Sequence, residues 1–183
     1  MPDELGESVI ERRDVAQGKV IRFEQLKVRL PDGAESTRDV VRHPGGCVIV
    51  PIGEDGSLYL VRQYRVAIGA VTLEFPAGKL EPGEPPEACA RRELLEETGF
   101  SAGSMRRVLS VCSTPGFCDE IIHVFIAEQL AAGAPSPDEG EFVKLERMRL
   151  DALMGMVRSG GIMDAKTVIG ILLADGELAG RRG

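Results

Sequence analysis

Residues 78–100 read GKLEPGEPPEACARRELLEETGF. Pro85 and Pro86 suit the first turn of a helix, because the N–H group that proline lacks would be unpaired there anyway. The residues that follow are mostly good helix formers, and Gly99 supplies a permissive residue just beyond the end. This stretch therefore predicts a helix from about 85 to 98.

Three carboxylates fall on one face of this helix. Glu93, Glu96 and Glu97 stand at i, i+3 and i+4, so their side chains lie close together and repel one another. Hard divalent cations such as Mg2+ and Mn2+ take oxygen ligands and would compensate the charge. The spacing therefore indicates a metal site, with a solvated acidic helix face as the alternative.

The whole stretch resembles, at every specified position, the signature of the Nudix hydrolases, which are pyrophosphatases acting on nucleoside diphosphates linked to another moiety. The resemblance implies an α+β protein with the Nudix fold, in which a mixed β-sheet is sandwiched between helices. The matching positions are Gly78, Glu84, Arg92-Glu93-Leu94, Glu96-Glu97 and Gly99-Phe100.

Further segments are similar to the ADP-ribose pyrophosphatase branch of that family, so the resemblance covers roughly residues 36–175. A proline sixteen residues beyond Gly99, as at Pro115, marks the members that prefer ADP-ribose. The segments are LVRQYR at 60–65, LEFPAGKLE at 73–81, TPGFCDE at 114–120 and DAKTVIGILL at 164–173.

The resemblance also implies roles for individual residues. Arg92 resembles the arginine that orients a glutamate of the signature, either Glu84 or Glu93, and a simple helix ion pair is the alternative. The metal ligands would be the carbonyl of Ala77 and the carboxylates of Glu93, Glu96 and Glu97.

The catalytic base of the resembled branch is a glutamate on a mobile loop after the signature. Glu139 and Glu141, in the acidic segment SPDEGE, match that loop, and Glu141 is favoured. Arg65 matches an arginine that contacts the diphosphate, and Arg42 is a weaker match to a second one; both have a solvated charge as alternative. The expected substrate contacts are Arg42, Arg65, Glu74, Pro115, Gly116 and Phe117.

Composition limits the possible partners and compartments. The 183 residues carry a formal charge of −7 and are 43% hydrophobic, which fits a folded core and argues against nucleic acid or an anionic membrane surface as partner. The N-terminus lacks the apolar segment of a secretory signal, and no apolar run reaches the ~18–20 residues of a membrane span. The four cysteines lack CxxC spacing and fit reduced thiols of a cytoplasmic protein.

The chain is expected to have two parts. Residues 1–42 would form an N-terminal antiparallel β extension, with two strands around Gly18, and residues 43–183 the Nudix hydrolase domain. The resemblance implies that the extension packs across a homodimer; a sheet folded back on its own core is the alternative. The later strands are expected near 36–42, 47–52, 57–65, 72–75, 105–113, 120–128 and 142–150, with helices near 151–158 and 164–175.

The function implied is Mg2+-dependent hydrolysis of ADP-ribose to AMP and ribose 5-phosphate, with Mn2+ as a possible substitute. Two alternatives remain open at this point. One is a broader nucleoside diphosphate sugar pyrophosphatase, since the chain offers few aromatic side chains to select a base. The other is a Nudix-fold regulator that binds ADP-ribose without cleaving it.

Overall fold

The computed structural model describes residues 4–136, 140 and 142–180. Ten strands and three helices lie in these ranges, and they belong to two compact units. Across the same ranges, no helix combines the length and the apolar character that crossing a membrane requires.

The first unit comprises Met1–Gly45 and Cys112–Ile121. Its core is a three-stranded antiparallel sheet in the order β1-β2-β3. The prediction of two strands around Gly18 is confirmed. The three strands are β1 (Ser8–Gln17), β2 (Arg22–Arg29) and β3 (Glu35–Arg42).

The two outer strands of this sheet differ from the middle one in burial. In β2, Leu26 and Val28 are buried, as the alternation of apolar and polar residues predicts. Every residue of β1 is exposed, including Val9, Ile10 and Val15. The apolar side chains of β1 are therefore left partly exposed in the chain as described.

The second unit comprises Gly46–Val111 and Ile122–Gly183. It contains two sheets, in the orders β7-β4-β9-β8 and β10-β5-β6, together with three helices. Its elements are β4 (Gly46–Pro51), β5 (Leu58–Arg65), β6 (Ala70–Glu74), β7 (Ala77–Lys79), α1 (Pro86–Thr98), β8 (Phe100–Cys112), β9 (Ile121–Ala132), β10 (Lys144–Met148), α2 (Leu150–Arg158) and α3 (Ala165–Gly180).

Strand β4 is buried on both faces. Val48 and Val50 pack in a cluster with residues of α3, whereas Cys47 and Ile49 pack in another cluster with residues of α1. Since successive side chains of a strand point to opposite faces, the two helices lie on opposite sides of this strand. The strand pairs in parallel with β9 and antiparallel with β7. The predicted α+β architecture, a mixed sheet between helices, is confirmed.

The helix predicted from the opening stretch is α1. Pro86 occupies its first turn, and Gly99 ends it with φ 75° and an N–H that donates to the Leu95 carbonyl at 2.8 Å. The buried face of this helix includes the carboxylates of Glu93 and Glu97 as well as apolar side chains. Burial of carboxylates on a helix face is costly unless they are paired or bind a cation.

Two details of the second unit were not predicted from the sequence. The short strand β7 was not expected, because three residues give no periodic pattern of their own; it forms by pairing with β4. Residues 53–56, between the strands expected near 47–52 and 57–65, form a turn in which the Gly56 N–H donates to the Gly53 carbonyl at 2.9 Å. The strands on either side are joined by an isolated bridge between Ile52 and Leu58 and then enter different sheets.

Candidate active site

The start of the signature stretch lies against the carboxylates of α1. The pairing of β7 with β4 fixes the backbone at Ala77 and Gly78, and the Ala77 N–H donates to Glu97 Oε2 at 3.0 Å. A Cβ atom on Gly78 would overlap the carboxylate of Glu93, so glycine is required for this approach. Glu93 and Glu97 are only 9% and 5% exposed. Two buried carboxylates thus meet the main chain where the expected carbonyl ligand, that of Ala77, is located.

Arg92 joins three glutamates. Its Nη1 donates to Glu93 Oε1 at 2.6 Å and to Glu96 Oε2 at 3.0 Å. Its Nε and Nη2 donate to the two carboxylate oxygens of Glu84, each at 3.0 Å. The sequence offered Glu84 or Glu93 as the partner of this arginine, and the structure shows both.

The hydrogen bonds of this cluster stabilise the charged forms of Glu84 and Arg92. The hydrogen bonds from Arg92 hold the pKa of Glu84 below its usual value, and the hydrogen bonds to Glu84 raise the pKa of Arg92. The guanidinium of Arg92 contacts three of the carboxyl groups, those of Glu84, Glu93 and Glu96, while Glu97 accepts the Ala77 N–H. The formal charge of the cluster is therefore negative, which suits a cation.

Arg65 lies in the same unit and forms a two-pronged contact with a buried glutamate. Its Nε and Nη2 donate to the two oxygens of Glu74 at 2.8 and 2.7 Å. Although burial favours the protonated form, the hydrogen bonds and charges of Arg65 and Lys166 hold the pKa of Glu74 at about 2. Glu74 is therefore ionised at neutral pH and fixes the orientation of the Arg65 guanidinium.

Two residues of α3 were missed as site residues. Lys166 Nζ donates to Glu74 Oε2 at 2.5 Å, and Thr167 Oγ1 accepts the Phe75 N–H at 3.0 Å. In the sequence, DAKT at 164–167 is only the start of a segment similar to the ADP-ribose pyrophosphatase branch. A lysine and a hydroxyl in that motif were the available signal, but their partners lie far away in the sequence.

A cavity of about 350 Å³ opens beside this contact. Its apolar walls include Ile68 and Met163, and Arg65, Glu74 and Lys166 form its polar part.

The remaining predicted substrate contacts belong to the first unit. Arg42 is held between two carboxylates, donating from Nε to Glu24 at 2.8 Å and from Nη1 to Asp119 at 3.0 Å. The Phe117 carbonyl accepts the Val41 N–H at 2.7 Å, so the loop that carries Phe117 is fixed beside the end of β3.

Within that loop, the Phe117 side chain is exposed, and so are Pro115 and Gly116. The structure therefore brings Arg42 and residues 115–117 together in one unit.

The two candidate bases lie outside the described residues. Neither Glu139 nor Glu141 is described, whereas Gly140 between them has φ 87°.

The donor atoms around α1 fit a hard cation. They are oxygen atoms of buried carboxylates and of the backbone near Gly78, where the absence of a Cβ atom leaves room for the Glu93 carboxylate. Over residues 4–136, 140 and 142–180, no group of three or more His, Cys, Asp or Glu side chains is arranged to hold a metal ion.

The chain is 34–39% identical in sequence to three relatives. The chain is 39% identical over 169 residues to an ADP-ribose pyrophosphatase of Bacillus subtilis (strain 168), covering 91% of each protein. It is 39% identical over 167 residues to a methanol dehydrogenase activator of Bacillus methanolicus, covering 90% of each. It is 34% identical over 148 residues to a GDP-mannose pyrophosphatase of Citrobacter koseri (strain ATCC BAA-895 / CDC 4225-83 / SGSC4696), covering 72% of this chain and 77% of the relative.

A solved structure supports the fold alone. The crystal structure of an ADP compounds hydrolase superposes with a TM-score of 0.84 at 24% sequence identity, covering 96% of this chain and 95% of the other. The family description NUDIX domain matches residues 41–167, which contain the glutamates of α1 and the backbone they contact. Since the family description matches most of its length and the Bacillus subtilis relative is 39% identical over 91% of it, the chain belongs to the Nudix family.

Proposed function

We propose that this Nudix hydrolase cleaves the pyrophosphate bond of ADP-ribose with Mg2+, giving AMP and ribose 5-phosphate. The observation that carries the proposal is the placement of Glu93 and Glu97 against the backbone of Ala77 and Gly78 in a complete signature. The substrate class follows the ADP-ribose pyrophosphatase of Bacillus subtilis, to which the chain is 39% identical.

The proposed cation ligands are the Ala77 carbonyl and the carboxylates of Glu93, Glu96 and Glu97. When bound, a divalent cation neutralises phosphate charge and makes a bound water more acidic. Mg2+ is proposed because it binds through a few carboxylates and substrate phosphates while keeping waters, and Mn2+ can substitute for it. Arg92 holds the glutamate side chains in orientation through its hydrogen bonds to Glu93 and Glu96.

The diphosphate is proposed to contact Arg65, whose orientation Glu74 fixes. Arg42, as a second phosphate contact, and the loop residues 115–117, with an apolar wall at Phe117, are proposed as the substrate contacts of the first unit. These assignments rest on the resemblance and on the exposure of Phe117, which is 57%.

The attacking water must lose a proton as its oxygen bonds to phosphorus and the bridging P–O bond breaks. We propose Glu141 as the acceptor of this proton, with Glu139 as the alternative. Replacing Glu141 by Gln is expected to lower kcat by about 10²–10⁴-fold, while Glu139→Gln keeps the rate. The reverse result would assign the base to Glu139, and an unchanged kcat in both variants would place it elsewhere.

The proposed activity predicts a defined substrate profile. Purified protein with Mg2+ should hydrolyse ADP-ribose to AMP and ribose 5-phosphate, identified by chromatography, and EDTA should abolish turnover. We expect kcat/KM for ADP-ribose to exceed that for ADP-glucose and GDP-mannose by at least about tenfold, or ~1.4 kcal/mol. Turnover that survives EDTA, or no turnover with Mg2+, would contradict the proposed enzyme.

A broader nucleoside diphosphate sugar pyrophosphatase is the second candidate. The similarity to a GDP-mannose pyrophosphatase at 34% identity favours it. Comparable kcat/KM values for ADP-ribose and GDP-mannose in the same assay would select this function. Binding of ADP-ribose without hydrolysis would instead select a regulator.

We propose that residues 1–42 form a dimerising extension and residues 43–183 the hydrolase domain. A second copy would cover the exposed apolar side chains of β1, such as Val9, Ile10 and Val15. Light scattering should then give twice the 19.7 kDa of one chain, and a monomeric mass would contradict the proposal. The four free cysteines fit the reducing cytoplasm, which cell fractionation would check.

A further inference from the structure

Glu74 is a buried carboxylate shared by two cations. It is 2% exposed, and each of its oxygens accepts more than one hydrogen bond. Oε1 accepts from Arg65 Nε at 2.8 Å and from Thr72 Oγ1 at 2.5 Å. Oε2 accepts from Arg65 Nη2 at 2.7 Å and from Lys166 Nζ at 2.5 Å. Lys166 thus approaches the same oxygen that holds one end of the Arg65 guanidinium.

The beginning of α3 fixes the position of this lysine. Asp164 Oδ1 accepts from Lys166 Nζ at 2.8 Å, while its Oδ2 accepts from the Thr167 N–H at 3.0 Å. Thr167 Oγ1 in turn accepts the N–H of Phe75, the residue directly after Glu74, at 3.0 Å. The first turn of the helix is therefore tied to the segment that leads into the signature.

A lysine is electrostatically unfavourable in the first turn of a helix, where the helix dipole is positive. The contacts to Asp164 and Glu74 compensate for this, and they leave the Lys166 side chain only 16% exposed. Helix stability alone would favour a neutral or acidic residue here, so the position of Lys166 points to a role at Glu74.

The charges of this group are balanced. Arg65 and Lys166 carry two positive charges, and Glu74 and Asp164 carry two negative charges. Arg65 donates to Glu74 through Nε and Nη2, so its Nη1 amino group takes no part in these two hydrogen bonds. The negative charge of Glu97 also contributes to raising the pKa of Arg65. Without Lys166, the group would carry a net negative charge beside an anionic diphosphate.

Resting on the proposed function, we propose that Lys166 is a positioning residue for diphosphate binding that acts through Glu74 on Arg65. It shares the negative charge of Glu74, so that Glu74 orients the guanidinium without cancelling its attraction for phosphate. Because this effect acts on binding, loss of Lys166 raises KM more than it lowers kcat.

The test compares Lys166→Met and Lys166→Arg. Lys166→Met is expected to raise KM for ADP-ribose about tenfold with kcat within about threefold, and Lys166→Arg to restore most of the affinity. Calorimetry with ADP and Mg2+ should show the same tenfold weakening without relying on turnover. Lys144→Met removes a lysine that also contacts a carboxylate, that of Glu146 at 3.5 Å, and should leave both constants unchanged.

A double-mutant cycle identifies the path of the effect. If Lys166 acts through Arg65, adding Lys166→Met to Arg65→Met raises KM no further. An unchanged KM and ADP affinity in Lys166→Met, or independent effects in the double variant, would overturn the proposal. Wild-type protein that binds ADP but hydrolyses no nucleoside diphosphate sugar would contradict the proposed function instead, and the binding cycle would still decide the role of Lys166.

Discussion

Replacing Glu97 by Gln is expected to lower kcat by about 10²–10³-fold while the fold is retained. Glutamine has the same size, and its carbonyl oxygen can still accept the Ala77 N–H that Glu97 accepts at 3.0 Å. The variant therefore loses the negative charge and the cation ligand but keeps the local hydrogen bond. Steady-state kinetics with Mg2+ measure the loss, and thermal unfolding should shift by no more than about 4 °C, or ~1 kcal/mol.

A matched control is available on the same helix. Glu87→Gln removes an exposed carboxylate of α1 that pairs with Arg91 at 2.9 Å, and it should leave kcat unchanged. A Glu97→Gln variant with wild-type turnover would contradict the cation-binding role. A variant that merely unfolds would show instead that the charge of Glu97 serves stability.

Replacing Gly78 by Ala is expected to reduce kcat/KM at least about 10²-fold and to cost about 1–3 kcal/mol of stability. The added methyl group would occupy the space of the Glu93 carboxylate, which would have to move away from the backbone. Gly78 does not have a positive φ, so alanine is allowed by the backbone and the effect is steric. Kinetics and chemical denaturation give the two quantities.

Gly176→Ala is the control for this substitution. Gly176 is an exposed residue of α3, and a Cβ atom there meets nothing within 4 Å. The change should leave activity unaltered and stabilise the protein by about 0.5–1 kcal/mol, because alanine is the better helix former. Wild-type activity in Gly78→Ala would show that Glu93 does not need to lie against the backbone for hydrolysis.

Local sequence signals predicted most of the fold. The ends of α1 followed from Pro86 and Gly99, whose conformational preferences act over a few residues. The strands and the last two helices were also found near their expected positions. The pairing of β7 and the sheets entered by β4 and β5 could not be predicted this way, because they depend on contacts between distant parts of the chain.

The candidate site likewise has some features that the sequence predicts and others that depend on contacts between distant residues. Helical spacing alone placed Glu93, Glu96 and Glu97 on one face of α1. The sequence could not show that two of these carboxylates are buried against β7. It also could not show that Lys166 reaches Glu74, since the two lie 92 positions apart.

The parallel pairing of β4 with β9 affects the order in which the protein can be assembled. Gly46 faces Ile122 in this pairing, so β4 and the whole of α1 leave the ribosome well before the strand that completes their sheet. Contacts between such distant segments form slowly, since a long loop must close first. The nascent chain therefore contains α1 before the sheet that α1 packs against is complete. Catalytic activity is accordingly expected only late in biosynthesis.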